Sequence, residues 1–344
     1  MSGFRIADNT SRGEWESFLV ESVSGNLQQS FDYGDVMKLF NQHSRIIRLS
    51  ASDDEGVVGL VQAIFPSKRL RFGGSLYAGG VYGYGLATDP KGEEQVLRDL
   101  LSSLEKSAVK NRVMEGFISR PRSDRVLESM GYAISEVANS YEVGLHNCAE
   151  ELWKSIAHNK RRNIKKAREL HADVIELKSQ DAIVSFYEMY KASSERVGFE
   201  AYSFDYFSSY LTVFGERDNV RIFLTVLNDR PVAGVFVVVH GDTAYALAAG
   251  SRKDVWQVRP NDLLHWKTME WACGKGLSWY HMGHVYEPVP TENSPGWSLW
   301  RWKREWNGQL KKYCIYHKVY MPKLKRFVLT PSKKIYSKLS KIGL

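Results

Sequence analysis

The chain has 344 residues, a formal net charge of +8 and three cysteines, Cys148, Cys273 and Cys314. At roughly 100–200 residues per domain the length suits two domains, and three widely spaced cysteines without a Cys-x-x-Cys pair exclude a disulfide framework and a cysteine zinc site. Charges at Arg5, Asp8, Arg12, Glu14 and Glu16 exclude a secretory signal over residues 1–20, and no apolar run approaches the ~20 residues of a spanning helix, so a reduced, soluble, cytoplasmic protein is expected.

In chain order, residues 44–50 and 57–66 are β-rich apolar runs, and 69–83 is a third strand interrupted by glycine. Residues 93–110 follow as a helix, because Val96, Leu97, Leu100, Leu101, Leu104 and Ala108 recur at the helical period. A strand at 113–119, a short helix at 123–130 and a strand at 133–144 close this set. The stretch Gly79-Gly80-Val81-Tyr82-Gly83-Tyr84-Gly85 lacks the Gly-Lys-Ser/Thr ending of a phosphate loop and the dinucleotide spacing, so it reads as a kinked strand or loop.

The second half repeats that order. Residues 220–227 and 232–240 read as a hairpin across Asn228-Asp229-Arg230-Pro231, with a third strand at 243–250. A helix at 260–276, opened by Pro260 and closed by Gly276, comes next. A strand at 277–282, a helix at 298–306 and a strand at 311–320 complete the copy. The expected fold is α/β (α+β): two tandem domains at 1–148 and 149–322, each a mixed central sheet flanked by helices, with a basic linking helix at about 152–170 and a basic tail at 323–344.

The charge is local. Lys323, Lys325, Arg326, Lys333, Lys334, Lys338 and Lys341 stand in the tail with no acid, interleaved with apolar residues. That pattern fits peripheral contact with an anionic membrane face, and equally a solvated tail whose apolar residues dock on the body. A second cluster holds Lys160, Arg161, Arg162, Lys165 and Lys166. It reads either as a phosphate-gripping patch, for tRNA or a pyrophosphate, or as a linking helix packed through Trp153, Ile156, Ile164 and Ala167.

A family resemblance rests on a succession of segments: Leu152-Trp153 through Arg161-Arg162-Asn163-Ile164-Lys165-Lys166-Ala167, then Ser194-Glu195-Arg196-Val197-Gly198-Phe199, then the strand at 243–250, the helix at 260–276 and Trp302-Lys303-Arg304-Glu305-Trp306-Asn307-Gly308. Together they resemble the FemAB family of peptidoglycan bridge-forming aminoacyltransferases and related acyltransferases built from two GNAT-type domains. Gln29-Ser30-Phe31-Asp32-Tyr33 through Lys38 is similar to the family's opening Gln-x-x-x-Trp-x-x-x-Lys segment, with the lysine one residue late.

The resemblance implies transfer of an acyl or aminoacyl group to an amine of a cell-wall or surface-glycan precursor, sugar-nucleotide or lipid-linked, at the inner membrane face. The donor would be aminoacyl-tRNA or acyl-CoA, with no tightly bound cofactor. Lys303 matches the lysine that relatives place near the reacting carbonyl, Arg196 and Lys38 match residues that bind the precursor's phosphates, and Tyr245 matches a substrate-facing strand tyrosine. The resemblance also implies a site between the two domains.

From the residues alone, Lys303 reads as a surface charge on a Trp-rich helix and Arg196 as half of an exposed pair with Glu195. His281 and His284 near Glu287 lack a convincing third ligand for zinc, so no metal is expected and His284 is read as orienting substrate. Asn261 is expected to contact substrate from the first turn of its helix, where Gln257-Val258-Arg259-Pro260-Asn261-Asp262 replaces the Gln/Arg-x-x-Gly-x-Gly/Ala turn with which GNAT enzymes cradle coenzyme A. Two other readings stand beside the transferase: a CoA-dependent N-acetyltransferase acting on a sugar or small amine, and a non-catalytic glycan-precursor-binding protein.

Overall fold

The computed structural model describes residues 4–22, 25–42, 44–65, 75–82, 90–120, 123–145, 149–285, 287–294 and 296–321. The glycines at 83 and 85, Cys148 and the tail at 323–344, with the membrane contact expected of it, lie outside the described residues.

The first half of the chain runs β1 (Arg5–Ala7), α1 (Arg12–Glu21), α2 (Phe31–Phe40), β2 (Arg45–Ser52), β3 (Val57–Phe65), β4 (Ser75–Tyr82), α3 (Pro90–Lys110), β5 (Glu115–Arg120), α4 (Arg125–Ser129) and β6 (Ala133–Gly144). The second runs α5 (Ala149–Ser155), α6 (His158–Glu169), β7 (Asp173–Leu177), α7 (Gln180–Val197), α8 (Phe204–Gly215), β8 (Val220–Leu227), β9 (Arg230–His240), β10 (Thr243–Ser251), α9 (Pro260–Gly274), β11 (Trp279–Val285), α10 (Trp297–Arg304) and β12 (Gln309–Val319). Every strand and helix expected of the doubled order is present.

The chain divides into two compact units. Among the described residues, one comprises those up to Ala138 and those from Lys312 on; the other comprises Asn139–Lys311. In the first unit the strand order is β1-β2-β3-β4-β5-β12, with a single parallel pair, β4/β5. In the second it is β7-β8-β9-β10-β11-β6, again with one parallel pair, β10/β11.

The closing strands are exchanged. Cys314–Val319 of β12 register against Arg120–Glu115 of β5, whereas Asn139–Gly144 of β6 register against Val285–Trp279 of β11. The units therefore differ from a contiguous division at 148/149. Alternation of apolar residues fixes which face a strand buries but not which edge it joins, so either closing strand satisfies either sheet's polar edge.

In the first unit the guanidinium of Arg48 lies 3.5 Å from the Phe31 ring centroid and donates to Asp35 Oδ1 (2.8 Å), Phe31 O (2.6 Å) and Gln62 Oε1 (2.9 Å), which ties α2 to β2 and β3. Lys38, three residues beyond Asp35 on that helix, is exposed.

In the second unit the core is built on β9, buried from Val232 to Val238 as a central strand must be, with α9 on one face and α7 on the other. The helix α7 starts where Ser179 Oγ accepts the Ala182 N–H and ends at Gly198, whose φ of 88° a residue with a Cβ adopts only under strain. Its buried Ile183, Phe186, Met189, Tyr190 and Ser193 follow the helical period. At its C-terminal half α7 approaches β10 so closely that a Cβ on Gly250 would overlap the backbone of Met189 and Tyr190.

That contact is backbone on backbone, and no side-chain rotation relieves it. Gly250→Ala is expected to destabilise the protein by about 1–3 kcal/mol, whereas Gly274→Ala, with open space around the new Cβ, is not. Urea unfolding of the two variants checks this, and equal midpoints would refute the close approach.

Candidate active site

The helix α10 begins at Gly296 (φ 82°) and carries Lys303 in its last turn. Lys303 is buried, 5% exposed, and its Nζ donates to His284 O at 2.7 Å. Among the described residues no carboxylate pairs with it. Burial therefore acts against the charge alone and pulls the ammonium pKa down to about 7.

The carbonyl that holds Lys303 lies in an irregular stretch of β11. The register with β6 shifts between His281 and His284, and Gly283 within the bulge has φ 76°, a left-handed conformation that glycine supplies readily. The Gly283 N–H donates to His281 Nδ1 at 3.1 Å. Directly across the parallel pair stands Tyr245, in register with His281 and with ring centroids 5.1 Å apart.

Burial lowers the pKa of His284 and pulls that of His281 to about 4, with the Lys303 charge adding to both. The bulge thus links Lys303, His284 and His281, with Tyr245 beside His281. His265, read as packing, is buried with its Nδ1 2.8 Å from Tyr280 Oη and its ring against Trp302.

A second group forms at the far end of β10. Arg196 donates through Nη2 to Ser193 Oγ (2.9 Å) and lies 4.8 Å from the ring centroid of Trp256. Ser251 Oγ accepts both Trp256 Nε1 (3.1 Å) and Asn261 Nδ2 (2.9 Å). Arg196 and Asn261 therefore meet around Ser251, and the partners of the guanidinium are Ser193 Oγ, the Ser251 carbonyl (3.5 Å) and the Trp256 ring. Lys38 belongs to the other unit.

The start of α9, beside Asn261, fits a coenzyme A pyrophosphate poorly. Pro260 has no N–H, and the N–H groups of Asp262 and Leu263 both point at Arg259 O (3.1 and 3.5 Å). The first turn also carries a buried carboxylate, Asp262.

That carboxylate corrects the reading of the basic cluster. Lys160 is fully buried and donates through Nζ to Asp262 Oδ1 at 2.7 Å; Glu305 lies 3.4 Å away, and the Trp302 ring centroid 4.4 Å away. Burial lowers its pKa and the two acids oppose that shift. Asp262 also accepts from Asn163 Nδ2 (2.9 Å) and Trp302 Nε1 (2.6 Å). Lys160 is thus unavailable to phosphates.

Arg161 is engaged as well, donating to the carbonyls of Trp153, Lys154 and Ile156 at the end of α5. Arg162, Lys165 and Lys166 remain on the solvent face. The signal for Lys160 was present in the sequence: it stands at i, i+4 and i+7 with Ile164 and Ala167, the buried stripe of α6.

Removing the carboxylate strands a buried charge. Asp262→Ala is expected to cost about 3–5 kcal/mol in urea unfolding, and breaking the exposed pair of Lys178 and Asp218 far less. Comparable losses from Asp262→Ala and Lys178→Ala would show that the buried pair carries no special weight.

Residues 154–304 match the family model for an acetyltransferase (GNAT) domain. No curated protein sequence matches the chain. Among solved structures, FemX is similar with a TM-score of 0.79 at 16% identity, over 94% of this chain and 99% of that one. A tandem GNAT protein from the clavulanic acid biosynthesis pathway gives 0.60 at 10% identity, over 93% and 99%. The C-terminal domain of a putative lysylphosphatidylglycerol synthetase from Agrobacterium fabrum gives 0.54 at 12%, over 89% and 92%. At these identities the likeness is one of fold, and it bears out the tandem arrangement read from the doubled element order. Residues 154–304 thus match a GNAT acetyltransferase domain, and over nearly its whole length the chain has the tandem GNAT fold that FemX shares.

Proposed function

We propose that the protein transfers an acyl or aminoacyl group from an activated donor to an amine of a cell-wall or surface-glycan precursor, with Lys303 at the reacting carbonyl. The observation that carries this reading is a buried lysine whose partner is a carbonyl and not an acid. An isolated buried ammonium is expensive, and a donor site for a developing oxyanion is the use that fits its place beside Tyr245 and His281.

Attack of the amine nitrogen on an ester or thioester carbonyl forms a C–N bond and moves the π pair onto oxygen. Of the three Lys303 N–H groups one is spent on His284 O, leaving others for that oxygen. No covalent enzyme intermediate is needed: the proton released by the attacking amine balances the one taken up by the leaving alcohol or thiol. Arg196, with Asn261 near, supplies a guanidinium for phosphate, and for Lys38, in the other unit, a phosphate role is supported by the family resemblance alone.

The donor reading favoured by α9 is an aminoacyl ester of tRNA, because Pro260 has no N–H, those of Asp262 and Leu263 turn to Arg259 O, and the buried Asp262 carboxylate opposes a pyrophosphate. Acyl-CoA is the second reading, supported by the acetyltransferase family match over 154–304. Among the described residues no helix is long and apolar enough to cross a membrane. We place the reaction in the cytoplasm, at the inner membrane face where such precursors are assembled.

Incubating sugar-nucleotide acceptors with acetyl-CoA or with charged tRNA, and reading the products by mass spectrometry, separates the donors. Transfer with neither, from acceptors shown to bind, would leave the glycan-precursor-binding reading in place of the enzyme. Lys303→Ala should lower kcat by about 10²–10³ while acceptor binding survives, and Arg196→Ala should raise KM for a phosphate-bearing acceptor by about tenfold or more.

The ammonium is the required form, so the wild-type rate should fall as pH rises through about 7. Lys303→Arg should lose that limb; its persistence there would assign the limb to another group. Between about 7 and 10.5 the folded state binds fewer protons at Lys303 than the unfolded chain, so this group makes stability rise with pH across that window. Wild type minus Lys303→Met, followed as Tm, isolates the slope, and a flat difference would contradict the lowered pKa.

A further inference from the structure

We infer that His281 is a second hydrogen-bond donor to the reacting carbonyl, presenting its Nε2–H beside the Lys303 ammonium. The inference rests on the transfer reading of this site.

The argument begins with the bulge in β11. Because the Gly283 N–H donates to Nδ1, that nitrogen is the acceptor of the neutral ring, and the imidazole proton resides on Nε2. Among the described residues Nε2 has no hydrogen-bond partner, and the residue is half-buried. The acid directly across on β6, Glu142, is in register with His281 but is engaged by Lys311 and by Ser140 Oγ (3.4 Å). Tyr245 flanks the ring on the other side.

The same bulge carries the His284 carbonyl that anchors Lys303. One backbone irregularity therefore sets both the ammonium and the imidazole. With its pKa near 4 the ring stays neutral, and its donor stays on the same nitrogen, throughout the range in which the amine is reactive. The other two histidines here are used differently. His265 is buried against Tyr280 and Trp302, and His284 contributes its carbonyl.

In the transfer step His281 keeps its proton. As the C–N bond forms, the carbonyl π pair moves to oxygen, and that oxygen accepts from Lys303 Nζ–H and His281 Nε2–H. On collapse the pair returns, the C–O bond of an ester or C–S bond of a thioester breaks, and its electrons depart with the alcohol or thiol, which takes up the amine's proton. A donor that is neutral in the ground state and aimed where charge develops stabilises the transition state more than the substrate.

The test compares His281→Phe, which keeps a flat ring without a donor, with His281→Gln, which restores an N–H at similar reach. The phenylalanine variant is expected to lose about 10²-fold in kcat with KM little changed, and the glutamine variant to recover to within about tenfold of wild type. Long-range ¹⁵N–¹H spectra of the wild-type ring should show the Nε2–H tautomer at neutral pH.

A phenylalanine variant within about threefold of wild type, while Lys303→Ala abolishes transfer, overturns the role of His281 and leaves the transfer reading intact. Absence of transfer by the wild type with either donor overturns both. Should His281→Phe fail to fold, as judged by circular dichroism, the glutamine variant and the spectrum decide, and an Nδ1–H tautomer refutes the proposal.

Discussion

The buried pair of Lys160 and Asp262 is the constraint on which the second unit's site depends. It joins α6 to the first turn of α9, and the same carboxylate accepts the indole N–H of Trp302, the residue before Lys303. The helix α10 has only eight residues, too few to be stable alone, so tertiary contacts must place it. Those contacts are the Trp302 indole on Asp262, Lys303 Nζ on His284 O, and Glu305 near Lys160. Just beyond the helix the Gly308 N–H donates to Tyr141 Oη at 2.8 Å, where a Cβ would overlap the backbone of Glu142.

Two buried lysines within one unit make a useful contrast. Lys160 has an acid at 2.7 Å and a second at 3.4 Å, so its desolvation is opposed by charge and its role is to hold helices together. Lys303 has a neutral carbonyl in place of those acids, and desolvation prevails. A fold has no need of the second arrangement. Methionine would fill the same space without burying a charge, and the proposed transfer gives that buried charge a use. The distinction lies in the partner and not in the burial, which is why neither composition nor exposure alone separates a structural lysine from a reactive one.

Much of this was legible in the sequence, for identifiable reasons. The strands and helices of both halves follow from period 2 and period 3.6 in apolar residues, and the doubling follows from their order, while the GNAT type came from the family resemblance. The exchange of β6 and β12 was hidden, because the pattern that makes a strand carries no address for its edge. Lys160 stood between two readings, phosphate contact by its charge and packing by its helical phase, and the phase prevailed. Asp262, its partner, sits far away in sequence within an apolar helix. The convergence of Arg196 and Asn261 on Ser251 joins three elements that no local pattern connects, and the tautomer of His281 depends on a bulge at Gly283 that only coordinates reveal.

The two polar groups of the second unit stand at opposite ends of one strand, Tyr245 with His281 and Lys303 at one, Ser251 with Arg196 and Asn261 at the other. Tyr245 and Ser251 stand six positions apart on β10, about 20 Å at ~3.3 Å per residue. A small amine would reach one group only. An acceptor that places a phosphate at Arg196 and its amine at Lys303 must be long, and a glycan precursor bearing a peptide or extended sugar has that length. Within the proposed transfer, the reach of β10 favours an acceptor whose charged head and reactive end are far apart over a small amine.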